Sequence, residues 1–137
     1  MKQRTVYLAG PMEHVSKEDA AGWREEATKR LEMAGCVVLN PCRRLHSFRK
    51  EEMKSIFELD LRDIDESDIV LAHLDNLKEI PRHGTAMEVF YAAHVRRIQV
   101  VAFKSTQNDV HPFFEALVTE WRSTADKAVD TIISKYL

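Results

Sequence analysis

SDIVLAHLD (residues 67–75) and RHGTAMEVFYAA (residues 82–93) decide the fold. The first segment is an apolar run with the length of a buried strand, and Pro81 marks the loop that follows it. From Gly84 to Arg97, strong helix formers continue without a breaker. Thr85 is the predicted N-cap, because its hydroxyl can accept a hydrogen bond from a backbone N–H of the first turn. The pattern thus predicts a strand, a loop and a helix that is apolar almost all round and therefore buried.

Glu88 falls in the first turn of that predicted helix. The N–H groups of a first turn are unpaired and form the positive end of the helix dipole, which favours an ionised carboxylate by about 0.3–1 kcal/mol. A carboxylate just past the carboxyl end of a strand lies where open α/β sheets bind ligands. The position alone leaves two interpretations, a ligand-binding carboxylate and one that only caps the helix dipole.

The rest of the chain alternates between strand and helix patterns. Besides residues 68–74, strands are expected at 5–9, 36–39, 97–103 and near Trp121, and helices at 16–34, 50–66, 111–117 and 125–137. This order predicts parallel strands joined by right-handed crossovers. The expected fold is α/β, a flavodoxin-like doubly wound five-stranded parallel sheet with helices on both faces, formed by one domain over residues 1–137.

Composition and charge exclude several classes of protein. The formal net charge of −2 argues against a general nucleic-acid binder, since such proteins are usually basic. No apolar run approaches the length of about 18 residues that a membrane span needs, and the N-terminus has no signal-peptide pattern. Cys36 and Cys42 do not form a CxxC pair, and no Cys or His cluster completes a zinc site. We expect free thiols and a cytoplasmic protein.

Asp60 interrupts the apolar stripe of the second predicted helix. It lies four residues from both Ile56 and Ile64. A carboxylate on an apolar face is costly unless it has a partner or faces a cleft. The alternative is a residue at the edge of the helix that leans out to solvent. The stripe itself consists of Met53, Ile56, Phe57, Leu61 and Ile64.

Several segments together resemble one known family. They are VYLAGP (6–11), the pair Asp60-Leu61 with Ile64, Ser67 and Asp68, the pair Leu74-Asp75, GTAMEVFYA (84–92) and HPF (111–113). This combination resembles the nucleoside 2-deoxyribosyltransferase family, which includes related nucleoside 5′-monophosphate N-hydrolases. The resemblance covers nearly the whole chain, and its most specific part is the Gly-Thr-Ala-x-Glu-Val element. It implies an enzyme that cleaves N-glycosidic bonds without a metal or organic cofactor.

The resemblance also implies roles for individual residues. Glu88 would attack C1′ of the sugar, Tyr7 would hold Glu88 in place, and Asp60 would meet the leaving base. A second, free base or water would then take the sugar. Met12 could equally be ordinary packing, and Asp75 could equally cap a loop. The residues expected to bind substrate are Gly10, Pro11, Met12, Asp75, Gly84, Thr85 and Met87.

Arg82 departs from the family pattern. Six residues before the nucleophile, family transferases tend to carry an aspartate that binds the sugar 5′-hydroxyl, and the monophosphate hydrolases a small hydroxyl residue. An aspartate would repel a phosphate, whereas an arginine would pair with one. We therefore expect the site to tolerate a nucleoside 5′-monophosphate as well as a nucleoside. The alternative is a loop of different length that points Arg82 to solvent.

His111 and Phe113 match a family segment that reaches the site of a neighbouring subunit. This implies a homodimer or a higher homo-oligomer, and an ordinary loop anchor is the alternative. Three functions stay open at this point: transfer to a base, hydrolysis, and a nucleotide-binding module without turnover. The coincidence of Tyr7, Asp60 and Glu88 at one expected cleft favours an enzyme. A dinucleotide or P-loop site has little support, because no GxGxxG or Walker pattern occurs.

Overall fold

A computed structural model describes residues 3–12, 16–43, 49–75, 83–105, 107 and 109–137. The strands are Thr5–Ala9 (β1), Val37–Leu39 (β2), Ile69–His73 (β3), Gln99–Phe103 (β4) and Glu120–Arg122 (β5). The helices are Lys17–Met33 (α1), Lys50–Asp65 (α2), His83–Phe90 (α3), Pro112–Leu117 (α4) and Ala125–Tyr136 (α5). A short 3₁₀ turn covers Pro41–Arg43, and a π-helical turn over Tyr91–Val95 continues α3.

The five strands form one parallel sheet in the order β2-β1-β3-β4-β5. This order confirms the doubly wound, flavodoxin-like fold that the alternating pattern predicts. The first crossover places β2 on one side of β1, and the next places β3 on the other side, so the order in which strands are added reverses there. The parallel strands β1 and β3 are paired from Val6 with Ile69 to Ala9 with Ala72. The carboxyl ends of β1 and β3 therefore border the crevice in which such folds bind ligands.

Helices cover both faces of the sheet, and alternate residues of each strand face opposite sides. Val6 and Leu8 pack with α1 and α5, whereas Tyr7 and Ala9 pack on the side of α2, α3 and α4. Because both faces are buried, the central strands are apolar without polar alternation. Tyr7 is thus directed towards the face that carries α3.

The ends of α1 are as the sequence predicts. The hydroxyl of Ser16 accepts a hydrogen bond from the backbone N–H of Asp19 at 3.0 Å, so Ser16 is the N-cap. Gly35 follows the helix with a φ of +97°, a left-handed conformation that glycine adopts without a Cβ clash. Local sequence signals therefore account for both ends of this helix.

The beginning of α3 corrects two expectations. His83 is already helical, so Thr85 lies within the helix and is not its N-cap. Glu88, five residues after His83, consequently lies beyond the first turn of the helix. The dipole stabilisation expected for Glu88 is weak there, since it falls off within one turn.

The expectation that α3 is buried almost all round is also wrong. Val89 is buried, but Met87 is 55% exposed and Phe90 49% exposed. In α2, only Ile64 of the predicted apolar stripe is buried. The uncovered parts of the two helices form an apolar groove of about 350 Å³. Its lining residues are Phe57, Leu61, Ala86, Met87, Phe90 and Tyr91.

Gly10, directly after β1, lies where three side chains leave no room for a Cβ. A Cβ built there would be 2.9 Å from Cζ2 of Trp23, 3.1 Å from Cβ of His73 and 3.3 Å from Nη2 of Arg24. The ring of Trp23 is itself packed edge-on against the ring of Phe103, with 5.2 Å between the ring centroids. Glycine at this position therefore allows α1 to approach the end of β1.

We expect Gly10→Ala to lower the free energy of unfolding by about 1–3 kcal/mol, the usual cost of overpacking a filled site. Gly22→Ala is the matched control, because no atom lies within 4 Å of a Cβ built on Gly22 in the middle of α1. That change should stabilise the protein by about 0.5–1 kcal/mol, since alanine loses less backbone entropy in a helix. Urea unfolding measures whether the free energy of unfolding falls in G10A and rises in G22A. A G10A variant as stable as wild type would contradict the close packing around Gly10.

Candidate active site

The centre of the candidate site is a hydrogen bond between two buried side chains from distant parts of the chain. The phenol of Tyr7, on β1, donates to Oε2 of Glu88, on α3. Tyr7 is fully buried and Glu88 is 7% exposed. Burial raises the pKa of Tyr7 well above its ordinary value, and the negative charges of Glu88 and Asp60 raise it further. The phenol therefore stays protonated and available as a donor.

Asp60 lies near this pair, on α2. It is half-buried, and its charge acts on the ionisation of Tyr7. The structure thus joins Tyr7 and Glu88 by a hydrogen bond, and it places Asp60, from a third element, within electrostatic range of Tyr7. A buried hydroxyl with two carboxylates is an arrangement suited to nucleophilic and acid–base chemistry.

Sequence reasoning missed a fourth group, Arg24. This arginine of α1 is fully buried. Its Nη2 donates to the carbonyl oxygen of Gly10 at 2.7 Å, and its Nη1 donates to the carbonyl oxygen of Ala20 at 2.7 Å and to Sγ of Cys42 at 3.5 Å. The signal was present in the sequence, because Arg24 follows Ala20 by four residues and therefore falls within the buried stripe of the helix.

The charge of Arg24 acts on the Tyr7–Glu88 pair. Burial lowers the pKa of Arg24, whereas the neighbouring Cys42, Tyr7 and Glu88 raise it. In return, the guanidinium lowers the pKa of Tyr7. The site thus contains one buried cation from the α1 side of the sheet and two carboxylates from the other side.

Two loops at the ends of β1 and β3 carry other predicted residues. Gly10 and Pro11 are buried after β1, and Met12 is half-buried. After β3, the side chain of Asp75 accepts a hydrogen bond from the backbone N–H of Ser105, which joins the loops after β3 and β4. This contact is the loop-capping role that the sequence leaves open for Asp75.

The predicted residues of α3 and α4 are placed differently from one another. Thr85 is buried, Gly84 is exposed, and Met87 lines the apolar groove. His111 is exposed, and its Nδ1 accepts from the backbone N–H of Phe113 at 3.1 Å, which caps α4. Phe113 is 74% exposed. Arg82 lies outside the described residues.

Among the residues that the structure describes, no group of three His, Cys, Asp or Glu side chains is placed to hold a metal ion. None of the described helices has the length and apolar character needed to span a bilayer.

Comparison with known proteins identifies the family. A family model described as nucleoside 2-deoxyribosyltransferase matches residues 6–130. The chain belongs to the nucleoside 2-deoxyribosyltransferase family. No curated protein sequence matches it. Membership in the nucleoside 2-deoxyribosyltransferase family supports an enzyme that acts on the glycosidic bond of nucleosides or nucleotides.

Several solved structures share this fold at low sequence identity. A 2-deoxyribosyltransferase from Bacillus psychrosaccharolyticus is 18% identical, with a TM-score of 0.72 over 92% of this chain and 90% of that one. A 2-desoxiribosyltransferase from Leishmania mexicana is 19% identical, with a TM-score of 0.71 over 98% and 99%. The CMP N-glycosidase BcmB of Clostridium botulinum is 14% identical, with a TM-score of 0.63 over 94% and 98%.

Proposed function

We propose that this protein cleaves the N-glycosidic bond of (deoxy)nucleosides through a covalent intermediate on Glu88, and passes the sugar to another base or to water. The observation that carries the proposal is the buried hydrogen bond from Tyr7 to Glu88, with the charge of Asp60 beside it. Family membership supports the same class of reaction. Relatives with this fold are named as 2-deoxyribosyltransferases and as an N-glycosidase.

In the first step, a carboxylate oxygen of Glu88 forms a bond to C1′ of the sugar. The bond from C1′ to the base nitrogen breaks, and its electron pair leaves with the base. Asp60 in its protonated form donates a proton to the base, which makes the base a better leaving group and leaves Asp60 ionised. Tyr7 keeps the carboxylate oriented by its hydrogen bond. The product is a glycosyl ester of Glu88.

In the second step, the ester is resolved at the same carbon. A second base or water forms a new bond to C1′, the ester bond from C1′ to oxygen breaks, and Glu88 leaves as a carboxylate. Asp60 in its ionised form takes the proton that the water oxygen or the acceptor nitrogen loses. Two displacements at one carbon retain its configuration, as in retaining glycosidases.

We expect Glu88→Gln and Glu88→Ala to lose all measurable release of base, because neither side chain can form the ester. Chromatography of products from a panel of nucleosides, with and without a free acceptor base, measures release, transfer and hydrolysis. Intact-protein mass spectrometry during turnover should show wild type carrying one added sugar, and E88Q carrying none. Asp60→Asn should slow base release by about 10²–10⁴-fold, the usual contribution of general acid–base catalysis.

Glu26→Gln is the matched control for these variants, because Glu26 is an exposed glutamate of α1. It should release base at the wild-type rate. Equal activity of E88A and wild type would contradict the proposal. Wild-type protein that binds nucleosides but releases no base would identify a binding module without turnover.

A second candidate function is hydrolysis of nucleoside 5′-monophosphates. The observation that favours it is Arg82, six residues before Glu88. A guanidinium can bind phosphate with two parallel hydrogen bonds, which an aspartate cannot do. The proposed glycosyl chemistry is unchanged, and only the 5′ substituent of the substrate differs.

We expect Arg82→Ser to reduce kcat/KM for a deoxynucleoside 5′-monophosphate by about 10–100-fold, the range of one or two charge-assisted hydrogen bonds. The same variant should leave kcat/KM for the unphosphorylated nucleoside nearly unchanged. Arg62→Ser, at an exposed position of α2, is the control and should change neither value. A wild-type protein that strongly prefers the unphosphorylated nucleoside would remove the second candidate.

We also propose that the protein forms a homodimer through the apolar groove of α2 and α3. The groove leaves Phe57, Met87 and Phe90 partly exposed, which is unfavourable in water. α4 is in contact with α3, and carries the exposed Phe113. A second copy over this face would cover the groove and bring His111 and Phe113 close to a neighbouring site.

We expect Phe90→Glu to shift the protein from dimer to monomer in light scattering after size-exclusion chromatography. A charge placed in an apolar contact loses its hydration when the contact forms, and this is costly because no partner compensates it. Met33→Glu is the control, because Met33 is 84% exposed and lies on α1, across the sheet from the groove. A monomeric wild type, or an F90E variant with the wild-type mass, would contradict the proposed interface.

A further inference from the structure

Helix α2, which carries Asp60, is held against the protein mainly at its C-terminal end. Ile64 is fully buried there, whereas every other residue of the helix is half-buried or exposed. The backbone N–H of Ser67 donates to the carbonyl oxygen of Ile64 at 3.0 Å, and its hydroxyl donates to the carbonyl oxygen of Asp63 at 2.7 Å. The direction in which α2 leaves this fixed end therefore decides where Asp60 lies.

The carboxylate of Asp65, the last residue of α2, is bound from the helix that carries Glu88. The phenol of Tyr91 donates to Oδ1 of Asp65 at 2.6 Å, and Nε of Arg96 lies 3.2 Å from the same oxygen. Tyr91 begins the π-helical turn that continues α3, and Arg96 ends it. We call Asp65, Tyr91 and Arg96 the Asp65 clamp.

The π-helical turn explains how two side chains five residues apart reach one oxygen atom. The backbone N–H of Arg96 donates to the carbonyl oxygen of Tyr91 at 2.9 Å, which is the hydrogen bond of a π-helix. In an α-helix, side chains that lie next to each other are three or four residues apart. The wider turn instead brings Tyr91 and Arg96 to the same side, and π turns frequently occur at functional sites.

The hydrogen bond from Tyr91 is the stronger part of the clamp. The side chains of Arg96 and Asp65 are 46% and 40% exposed, and an ion pair as exposed as this one contributes little. Tyr91 is half-buried, and its ring packs against the core on this face of the sheet and lines the apolar groove. Because the ring is already held in place, its hydroxyl loses little conformational freedom when it binds the carboxylate.

We propose that the hydrogen bond from Tyr91 to Asp65 sets how α2 and α3 lie relative to each other. Tyr91 is thus a positioning residue for the transfer of a proton from Asp60 to the leaving base. It follows Glu88 by three residues without a break in the helix, and α2 contacts both α3 and the π-helical turn. The inference rests on the proposed function, because it concerns the same acid and the same nucleophile.

Tyr91→Phe is the first test variant, because it removes the hydroxyl and keeps the ring in the groove. Asp65→Ala breaks the same hydrogen bond from its other side, and it replaces Y91F if circular dichroism shows that Y91F does not fold. Asp65→Asn is the conservative variant, since its amide oxygen can still accept from the phenol. Tyr136→Phe is the matched control, because this phenol also donates to a carboxylate, that of Glu120 at 2.7 Å, on the other face of the sheet.

The readout is how kcat/KM depends on the leaving group. The two substrates are a deoxynucleoside that wild type cleaves and its analogue with a nitro-substituted base, which leaves readily without a proton from Asp60. Y91F and D65A should lower kcat/KM for the unsubstituted base by about tenfold, the factor of one lost hydrogen bond to a charged group. Both variants should cleave the nitro-substituted analogue at nearly the wild-type rate. D65N should recover most of the activity that D65A loses, and Y136F should match wild type with both substrates.

Two results would overturn the positioning role while the proposed function stands. One is a Y91F variant that is as active as wild type with the unsubstituted base. The other is an equal loss with both substrates, which is the result expected if the hydrogen bond only stabilises the fold.

Combination with Asp60→Asn provides a further test. If Tyr91 acts through Asp60, adding Y91F to D60N should lower kcat/KM little further, because residues that act together are not additive. A full tenfold loss in the D60N background would overturn the role of Tyr91 and leave the proposed function intact. A wild-type protein that releases no base from either substrate would refute the proposed function, and the positioning role with it.

Discussion

Burial of the Glu88 carboxylate beside Tyr7 is the constraint on which the site depends. A carboxylate removed from water is costly unless donors or cations replace the lost hydration. The phenol of Tyr7 is such a donor, and it is fixed because β1 lies between two other strands of the sheet. α3 presents Glu88 to it across 81 residues of sequence. The geometry of the site therefore depends on a central strand, which is paired on both of its edges.

The doubly wound sheet lets both of its faces contribute to this one crevice. α2 and α3 supply the carboxylates of Asp60 and Glu88 from one face, and α1 supplies Arg24 from the other. The two sides meet at the end of β1, where Gly10 is small enough for α1 to approach. Glycine at this position thus leaves room for Arg24 to donate its hydrogen bond to the carbonyl oxygen of Gly10.

The strand order and the capped ends of α1 could be predicted because local patterns decide them. The beginning of α3 could not, since Gly84 and His83 carry no helix signal, and Thr85 has the chemistry of a cap without its position. Arg24 was missed because a search for apolar residues passes over a charged one within the same buried stripe. Apolar spacing also identified the stripe of α2 but not its exposure, because spacing shows which face is apolar and not what covers it.

The short outer strands of the sheet limit how other chains can associate with its edges. β2 and β5 each contain three residues, and they form the two edges of the sheet. A strand of that length presents few unpaired backbone groups, so another chain cannot extend the sheet by main-chain pairing over any useful length. Fibril growth by strand addition is thereby suppressed, and attraction between molecules is directed to side chains.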